Sequence, residues 1–445
     1  MFREQERVRP EAQVRLSPLG ILELGSAETG RAHGTTTADT PWGDRFALRA
    51  QGMTSSAIRE LLKLTADPEI ISFGGGLPAP EVFPLDDVKA AAGRVIEQNG
   101  REALQYGPTE GYLPLRELLV RHMARYGIQV TPANVLITSG AQQGLDLIGK
   151  LFINSGDRIL TEQPTYLGAL QAFTAYQARY LPVPIDDEGL RIDLVEDALR
   201  AGPKFLYILP NFQNPAGVTL SLERRWRLVE LASHYGAPIV EDDPYGQLRY
   251  EGEHLPPLVK LDAEYHGNGH GKPFRGGVLY LGTMSKTLAP GLRVGWVVAP
   301  EEVMARLVQM KQGADLHTST FNQMVAYEVA RGGFLDQHVR RIRQVHGERR
   351  NAMLQALDRH FPPGVLWTRP KGGLFLWVTL PEGMDSTALL AEALKEKVAF
   401  VPGTAFYPCG GGQRTLRLNF SYPTPELIEE GIRRLGAVIS RHVCA

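Results

Sequence analysis

The chain has 445 residues, of which 43% are hydrophobic and 22% charged, with 48 Lys and Arg against 49 Asp and Glu. This is ordinary globular usage, so a wholly disordered chain and a coiled coil are excluded, and a net charge of -1 argues against a dominant role on nucleic acid or an anionic membrane. Two cysteines, Cys409 and Cys444, make neither a disulfide framework nor a structural zinc set, and there is no run of about 18 apolar residues to span a bilayer.

The opening MFREQERVRP is charged and no apolar run follows it, so no signal peptide is expected and the expected location is the cytoplasm. Residues 1–50 read as a disordered extension, because GSAETGRAHGTTTADTPWGD (25–44) has little to bury. Nor do they hold the three periodic helices and basic face of a winged-helix DNA reader. SSAIRELLKL (55–64) spaces Ile58, Leu61, Leu62 and Leu64 as a helix does, with Ser or Thr to cap it.

Short apolar runs then alternate with amphipathic segments. VLIT (135–138), RILT (158–161), KFLYIL (204–209), PIVED (238–242), VLYLG (278–282) and VGWVVA (294–299) are predicted strands. AQQGLDLIGKLF (141–152) and LERRWRLVELASHY (222–235) are predicted helices between them. Near-continuous apolar strands alternating with helices predict an α/β domain whose mostly parallel mixed sheet is covered on both faces. EYHGNGHGKPFRGG (264–277) reads as a surface loop, since His266 and His270 have few acidic or thiolate neighbours with which to hold a metal. Beyond about residue 320, a long helix over 341–361 and strands within GGLFLWVTL (372–380) and TLRLNF (415–420) predict a smaller α+β domain.

The segment with the sharpest chemical content is GTMSKTLAPGLRVGW (282–296), where Lys286 leaves an apolar strand among small hydroxyl residues and Arg293 follows. A single lysine is ordinarily a solvated surface residue. At a strand exit rich in Gly, Thr, Ser and Pro it is placed for function, and lysine is the side chain that condenses with carbonyls. Thr283, Ser285 and Arg293 together suit a phosphate. In PIVEDDPYG (238–246), Asp242 and Tyr245 lie where ligands bind in open α/β sheets, beyond the carboxyl ends of strands. ITSGAQQGLDLIG (137–149) offers the backbone N–H groups of Gly140, Ala141 and Gln142 at a helix N-terminus, which suits an anion. Asn214 in PNFQNPAG (210–217), Tyr166 in EQPTYLGA (162–169) and Arg417 in LRLNF (416–420) read singly as a turn, a core aromatic and a snorkelling arginine.

Taken in order, these segments resemble the fold-type I pyridoxal-phosphate aminotransferases of class I/II from about Ser56 onward. Within that class, SSAIRELLKL, ISFGGGLPAPEVFP, LQYGPTEGYLPLRELL, KQGADLHTSTFNQ, RPKGGLFLWVTLP and VAFVPGTAFYPCGGG are most similar to the 2-aminoadipate aminotransferase group. The resemblance implies a segment over 51–76 that joins the small domain as a lid, a large cofactor domain over 77–320 and a small domain over 321–445. It implies pyridoxal 5'-phosphate held as an internal aldimine at Lys286, which also shuttles the proton. Asp242 would keep the pyridinium protonated, Asn214 and Tyr245 would bind the ring phenolate, and Tyr166 would stack on the ring. Gly140, Ala141, Gln142, Thr283, Ser285 and Arg293 would cradle the phosphate. Tyr106 would reach the phosphate and substrate of a neighbouring subunit, which makes the expected protein a homodimer with composite sites. Arg417 would pair with the substrate carboxylate in a pocket lined by Gly76 and Asn214, and Arg59 would meet a distal carboxylate. Ala141 departs from the group's usual serine, and Thr283 keeps the hydroxyl where serine is frequent.

The expected reaction moves an amino group between a 2-aminoadipate- or glutamate-like donor and a 2-oxo acid such as 2-oxoglutarate, with a place in lysine biosynthesis. The alternatives are an aromatic, kynurenine-type or branched-chain aminotransferase, a lyase or decarboxylase on the same fold, and the effector domain of a transcription regulator.

Overall fold

The structure is a computed structural model that describes residues 42–51, 67–267 and 274–443. The chain divides into a unit ending at Phe46, of which only Trp42–Phe46 are described, and a unit from Ala47 to Ala445. The helix expected over 55–64, with Arg59, lies outside the described residues, as do His270 and residues 1–41. Every strand among the described residues belongs to the second unit.

In chain order these strands are β1 (Ile71–Ser72), β2 (Val135–Thr138), β3 (Arg158–Gln163), β4 (Arg179–Asp186), β5 (Gly189–Leu190), β6 (Leu206–Ile208) and β7 (Ile239–Asp242). They continue with β8 (Val278–Thr283), β9 (Gly295–Val298), β10 (Leu366–Trp367), β11 (Phe375–Thr379), β12 (Val398–Ala399), β13 (Val401–Pro402) and β14 (Thr415–Asn419). An eight-stranded sheet has the order β2-β9-β8-β7-β6-β3-β4-β5. Its central pairs β8/β7, β7/β6, β6/β3 and β3/β4 are parallel, while β9 runs antiparallel to both β2 and β8, and β5 antiparallel to β4. The sheet is therefore mixed and mostly parallel at its centre.

Alternate residues of each strand enter two different cores. Val135, Ile137, Ile239, Val278 and Tyr280 pack on one face. Leu136, Val240, Leu279, Leu281 and Val297 pack on the other. With both faces covered, the strands are apolar along most of their length, which is why they stand out in the sequence. β4 does not: Pro182 and Pro184 interrupt RYLPVPID, and a proline demotes a strand in any sequence reading. It forms because it lies near the sheet edge, with a long parallel partner in β3 and only the two-residue β5 beyond. β6 is shorter than the 204–209 run expected, because the amide of Leu209 donates to the Glu162 side chain at 3.0 Å.

The two helices expected between the strands run Ala141–Phe152 and Leu222–Tyr235. The second has a Ser221 side-chain cap and ends at Gly236 in the left-handed region. The helix Thr320–Ala330, at the expected domain boundary, packs Met324, Val325, Ala326 and Val329 into the core of the large sheet. A 27-residue helix, Phe334–His360, leads on to the antiparallel sheet β10-β11-β14-β13 and its separate core. Ile71 and Ser72 pair in parallel with Val398 and Ala399, so the chain just before the glycines 74–76 is fastened to this second core.

Candidate active site

The topology brings five loops to one edge of the large sheet. β3, β6, β7 and β8 are parallel, so the residues after each emerge together: Tyr166, Leu209–Asn214, Tyr245 and Lys286. β2 runs the same way, because two antiparallel steps through β9 separate it from β8. β9 runs the other way, so the residue that precedes it, Arg293, returns to the same edge. A cavity of about 170 Å³ lies there, lined by Ala141, Gln142, Tyr166, Asp242, Tyr245, Thr283, Ser285, Lys286 and Arg293 together with Leu145, Leu209, Pro244 and Pro290.

One end of the cavity is built for an anion. Gly140 caps the helix Ala141–Phe152 at φ +83°, a conformation that favours glycine. A Cβ on Gly295 would meet the Gly140 carbonyl carbon at 2.6 Å, so β9 passes this turn closely only because it too starts on glycine. Arg293, itself at φ +53°, donates through Nη2 to the Ser139 carbonyl at 3.0 Å. Thr283 Oγ1 and Ser285 Oγ lie 2.9 Å apart, and the Ser285 amide donates to Thr283 Oγ1 at 3.1 Å.

The other end holds a carboxylate and an amine. Asp242 is 3% exposed; Tyr207 donates to its Oδ2 at 2.9 Å, and its Oδ1 has no hydrogen-bond partner among the described residues. Burial pushes its carboxyl up to about 7. Lys286 Nζ donates to the Gly76 carbonyl at 2.7 Å. Burial, reinforced by the charges of Arg417 and Arg293, brings its ammonium down to about 8. Burial likewise raises the phenols of Tyr166, to about 12, and Tyr245, and Asn214 hydrogen-bonds the latter.

Arg417 comes from the centre of β14 and is 1% exposed. It donates to Asn214 Oδ1 at 2.9 Å and to the Gly74 carbonyl at 2.7 Å, while its Nε has no partner among the described residues. Its guanidinium stands 4.2 Å from the Phe375 ring centroid and 5.1 Å from that of Phe406. The carbonyls of Gly74 and Gly76 thus hold the guanidinium and the amine from a single short segment, whose two residues span at most about 7 Å.

Residues 69–435 match the model of aminotransferase class I and II. The chain belongs to this family. It is 47% identical over 405 residues to aromatic-amino-acid aminotransferase 1 of Thermococcus litoralis, covering 89% of this chain and 94% of that protein. It is also 47% identical over 399 residues to 2-aminoadipate transaminase of Thermus thermophilus, covering 89% and 97%. The crystal structure of LysN, an α-aminoadipate aminotransferase of Thermus thermophilus complexed with N-(5'-phosphopyridoxyl)-L-leucine, matches with a TM-score of 0.84 at 45% identity, over 91% of this chain and 99% of that one.

This aminotransferase accordingly has the fold-type I architecture, and its cofactor is pyridoxal 5'-phosphate. The residues present fit that cofactor. Asp242 Oδ1 is a buried acceptor without a donor among the described residues, Lys286 is an amine of lowered basicity, and the helix start presents the amides of Ala141 and Gln142 beside Arg293; the Gly140 amide, expected to face the anion as well, donates instead to the Thr138 carbonyl at 2.8 Å. Of the residues singled out in the sequence, Tyr106 is not brought to this cavity: it is 79% exposed and meets His317 edge-on at 5.8 Å.

Four contributors escaped the sequence reading. Tyr207 reads as one more apolar strand residue, yet its hydroxyl orients Asp242. Glu162 is 2% exposed and accepts from Leu209 N and from Gln213 Nε2 at 3.4 Å, which fixes the loop that ends in Asn214. Phe375 and Phe406 wall in Arg417 from segments about 30 residues apart in sequence. A polar side chain inside an apolar strand run was the available signal for Tyr207 and Glu162.

Proposed function

We propose that the chain transaminates amino acids of the 2-aminoadipate and glutamate type with 2-oxoglutarate as acceptor, and that it also takes aromatic and branched-chain donors. The observation that carries this is the fully buried Arg417 guanidinium on Gly74, two residues from the Gly76 carbonyl that holds the Lys286 amine, which suits an α-carboxylate placed beside the reactive lysine. The two relatives at 47% identity support the range, since one is named for aromatic amino acids and the other for 2-aminoadipate. They also speak against a regulator's effector domain, because the chain spans nearly the whole of both enzymes. A 2-aminoadipate donor would place the reaction in lysine biosynthesis, and the scarcity of cysteine suits a cytoplasmic setting.

Pyridoxal phosphate, when bound, supplies an electron sink for the carbanion left by the departing α-proton. Lys286 binds the cofactor and moves that proton through Nζ. Asp242 keeps a proton on the ring nitrogen, and a cation at that spot returns its carboxyl to the ionised form. Tyr166 covers the ring, and Asn214 and Tyr245 hold its phenolic oxygen. Ala141, Gln142, Thr283, Ser285 and Arg293 hold the phosphate. Arg417, with Asn214 and Gly76, orients the substrate. An amino-donor screen with 2-oxoglutarate that follows glutamate formation tests the reading; no turnover of 2-aminoadipate would overturn the proposed donor class.

Arg59 serves in this reading as the contact for a distal carboxylate. A charge-assisted pair contributes about 1.5–3 kcal/mol, or roughly 10- to 100-fold in kcat/KM. Arg59→Ala is expected to weaken 2-aminoadipate by that factor and to leave leucine unchanged; equal losses on both donors would make Arg59 structural.

The site in this reading is completed by Tyr106 from a second copy of the chain. Mixing Lys286→Ala and Tyr106→Phe protomers, each impaired alone, is expected to restore activity, because one site of the mixed dimer carries neither lesion. A fully active monomer in sedimentation would refute the composite site.

A further inference from the structure

Behind the anion turn lies a buried ion pair. Lys311, in the last turn of the helix Glu301–Gln312, has no exposed surface. Its Nζ donates to Asp315 Oδ1 at 2.7 Å and Oδ2 at 2.9 Å, to Gln143 Oε1 at 2.9 Å and to Thr318 Oγ1 at 3.1 Å. Gln143 Oε1 also accepts from the amide of Ser139 at 2.7 Å. Ser139 Oγ in turn donates to Asp315 Oδ2 at 3.0 Å and lies 3.2 Å from Thr318 Oγ1.

Burying a lysine is costly unless it is fully partnered, and here the partners all converge on the Ser139–Gln143 turn. The amide of Gln143 has two orientations, and only one places its oxygen on the Ser139 N–H. The Lys311 ammonium fixes that orientation. With its amide held there and its hydroxyl on Asp315, Ser139 turns its carbonyl to Arg293; the Gly140 amide donates to the Thr138 carbonyl at 2.8 Å, which leaves the helix-terminal amides of Ala141 and Gln142 to face an anion. The positive charge of Lys311 is matched by Asp315, so its effect on a bound anion comes through geometry, by holding the turn in its anion-receiving form.

We infer that Lys311 is a positioning residue for the phosphate of the cofactor, acting through Gln143 on the Ser139–Gln142 turn. This rests on the assignment of that turn to the phosphate. The same strut reaches the loop of Tyr106, because Gln323 receives the Tyr112 amide at 2.8 Å and donates to the Thr318 carbonyl at 2.8 Å.

The test compares pyridoxal 5'-phosphate with pyridoxal, which lacks the phosphate, by titrating the apo-protein and following the bound chromophore. Lys311→Met is expected to weaken the phosphorylated ligand about tenfold, the value of one charge-assisted hydrogen bond, and to leave pyridoxal unchanged. Asp315 is partly exposed and accepts water once the lysine is gone. Gln143→Leu keeps the ion pair and is expected to give the same phosphate-specific loss, so the inference stays testable if Lys311→Met does not fold. Equal losses for both ligands, or undiminished affinity for the phosphorylated one, would overturn the role of Lys311. A wild-type protein that failed to distinguish the two ligands would instead overturn the phosphate assignment of the turn.

Discussion

Lys286→Ala is expected to abolish transamination, and borohydride is expected to fix the cofactor to Lys286 in the unaltered protein. The basis is chemical and geometric. Lys286 is the amine that lines the cavity with Asp242, Tyr166 and Arg293, and the Gly76 carbonyl holds its Nζ in place. Nucleophilic attack needs the free amine, and burial together with Arg417 and Arg293 brings the ammonium down to about 8. Below about 8 the group is charged and unreactive, and above it the amine is free. The rate at which the apo-protein captures pyridoxal phosphate is therefore expected to rise with pH and to level off above about 8. A plateau reached only near the value of an ordinary lysine, or a reduced adduct mapped to another lysine, would refute the assignment. The loss should exceed that of any other single change, because it removes the covalent attachment and the proton carrier together.

The second largest effect is expected at Arg417. This guanidinium is 1% exposed, lies over two aromatic rings and has an Nε without a partner among the described residues. A substrate carboxylate that enters such a place leaves water behind and needs the guanidinium in return. Removing one partner of a buried charge pair costs about 3–5 kcal/mol, or on the order of 10²- to 10⁴-fold in kcat/KM. Arg417→Ala is expected to lose that much on every donor, acidic or apolar, since all share the α-carboxylate. Arg417→Lys should rescue little, because a point charge does not reproduce the planar fork. The visible spectrum of the bound cofactor should persist in both variants, which separates substrate binding from collapse of the fold. A loss below tenfold, or one confined to acidic donors, would assign the α-carboxylate elsewhere.

The two effects differ in what they require of the protein. Lys286 acts at a strand end whose position the large sheet alone decides. Arg417 bridges two sheets: β14 belongs to the small one, whereas its partner Asn214 follows β6 of the large one. The Gly74 and Gly76 carbonyls join the two, because this segment is tied to the small-sheet side through the pairing of Ile71 and Ser72 with Val398 and Ala399.

Much of this protein is determined by its sequence alone. Strands buried on both faces are apolar along most of their length, so β2, β8, β9 and the start of β7 announce themselves, and the helices between them follow from their period. The residues that mark the family sit at strand exits, where Gly, Pro and hydroxyl residues break the apolar runs, so Lys286, Asp242, Tyr166 and Arg293 were legible as a set. The tertiary structure decided what depends on residues distant in the chain. β4 is a strand because β3 supplies its ladder despite Pro182 and Pro184. Tyr207 and Glu162 are polar parts of the site because the sheet order puts β6 beside β7 and β3. Lys311 lies in an ordinary amphipathic helix, and only the fold buries its ammonium against Gln143, 168 residues away in sequence. Local pattern reports which face of an element is buried; it carries no information about which other element covers that face, and the partners of a buried charge are settled there.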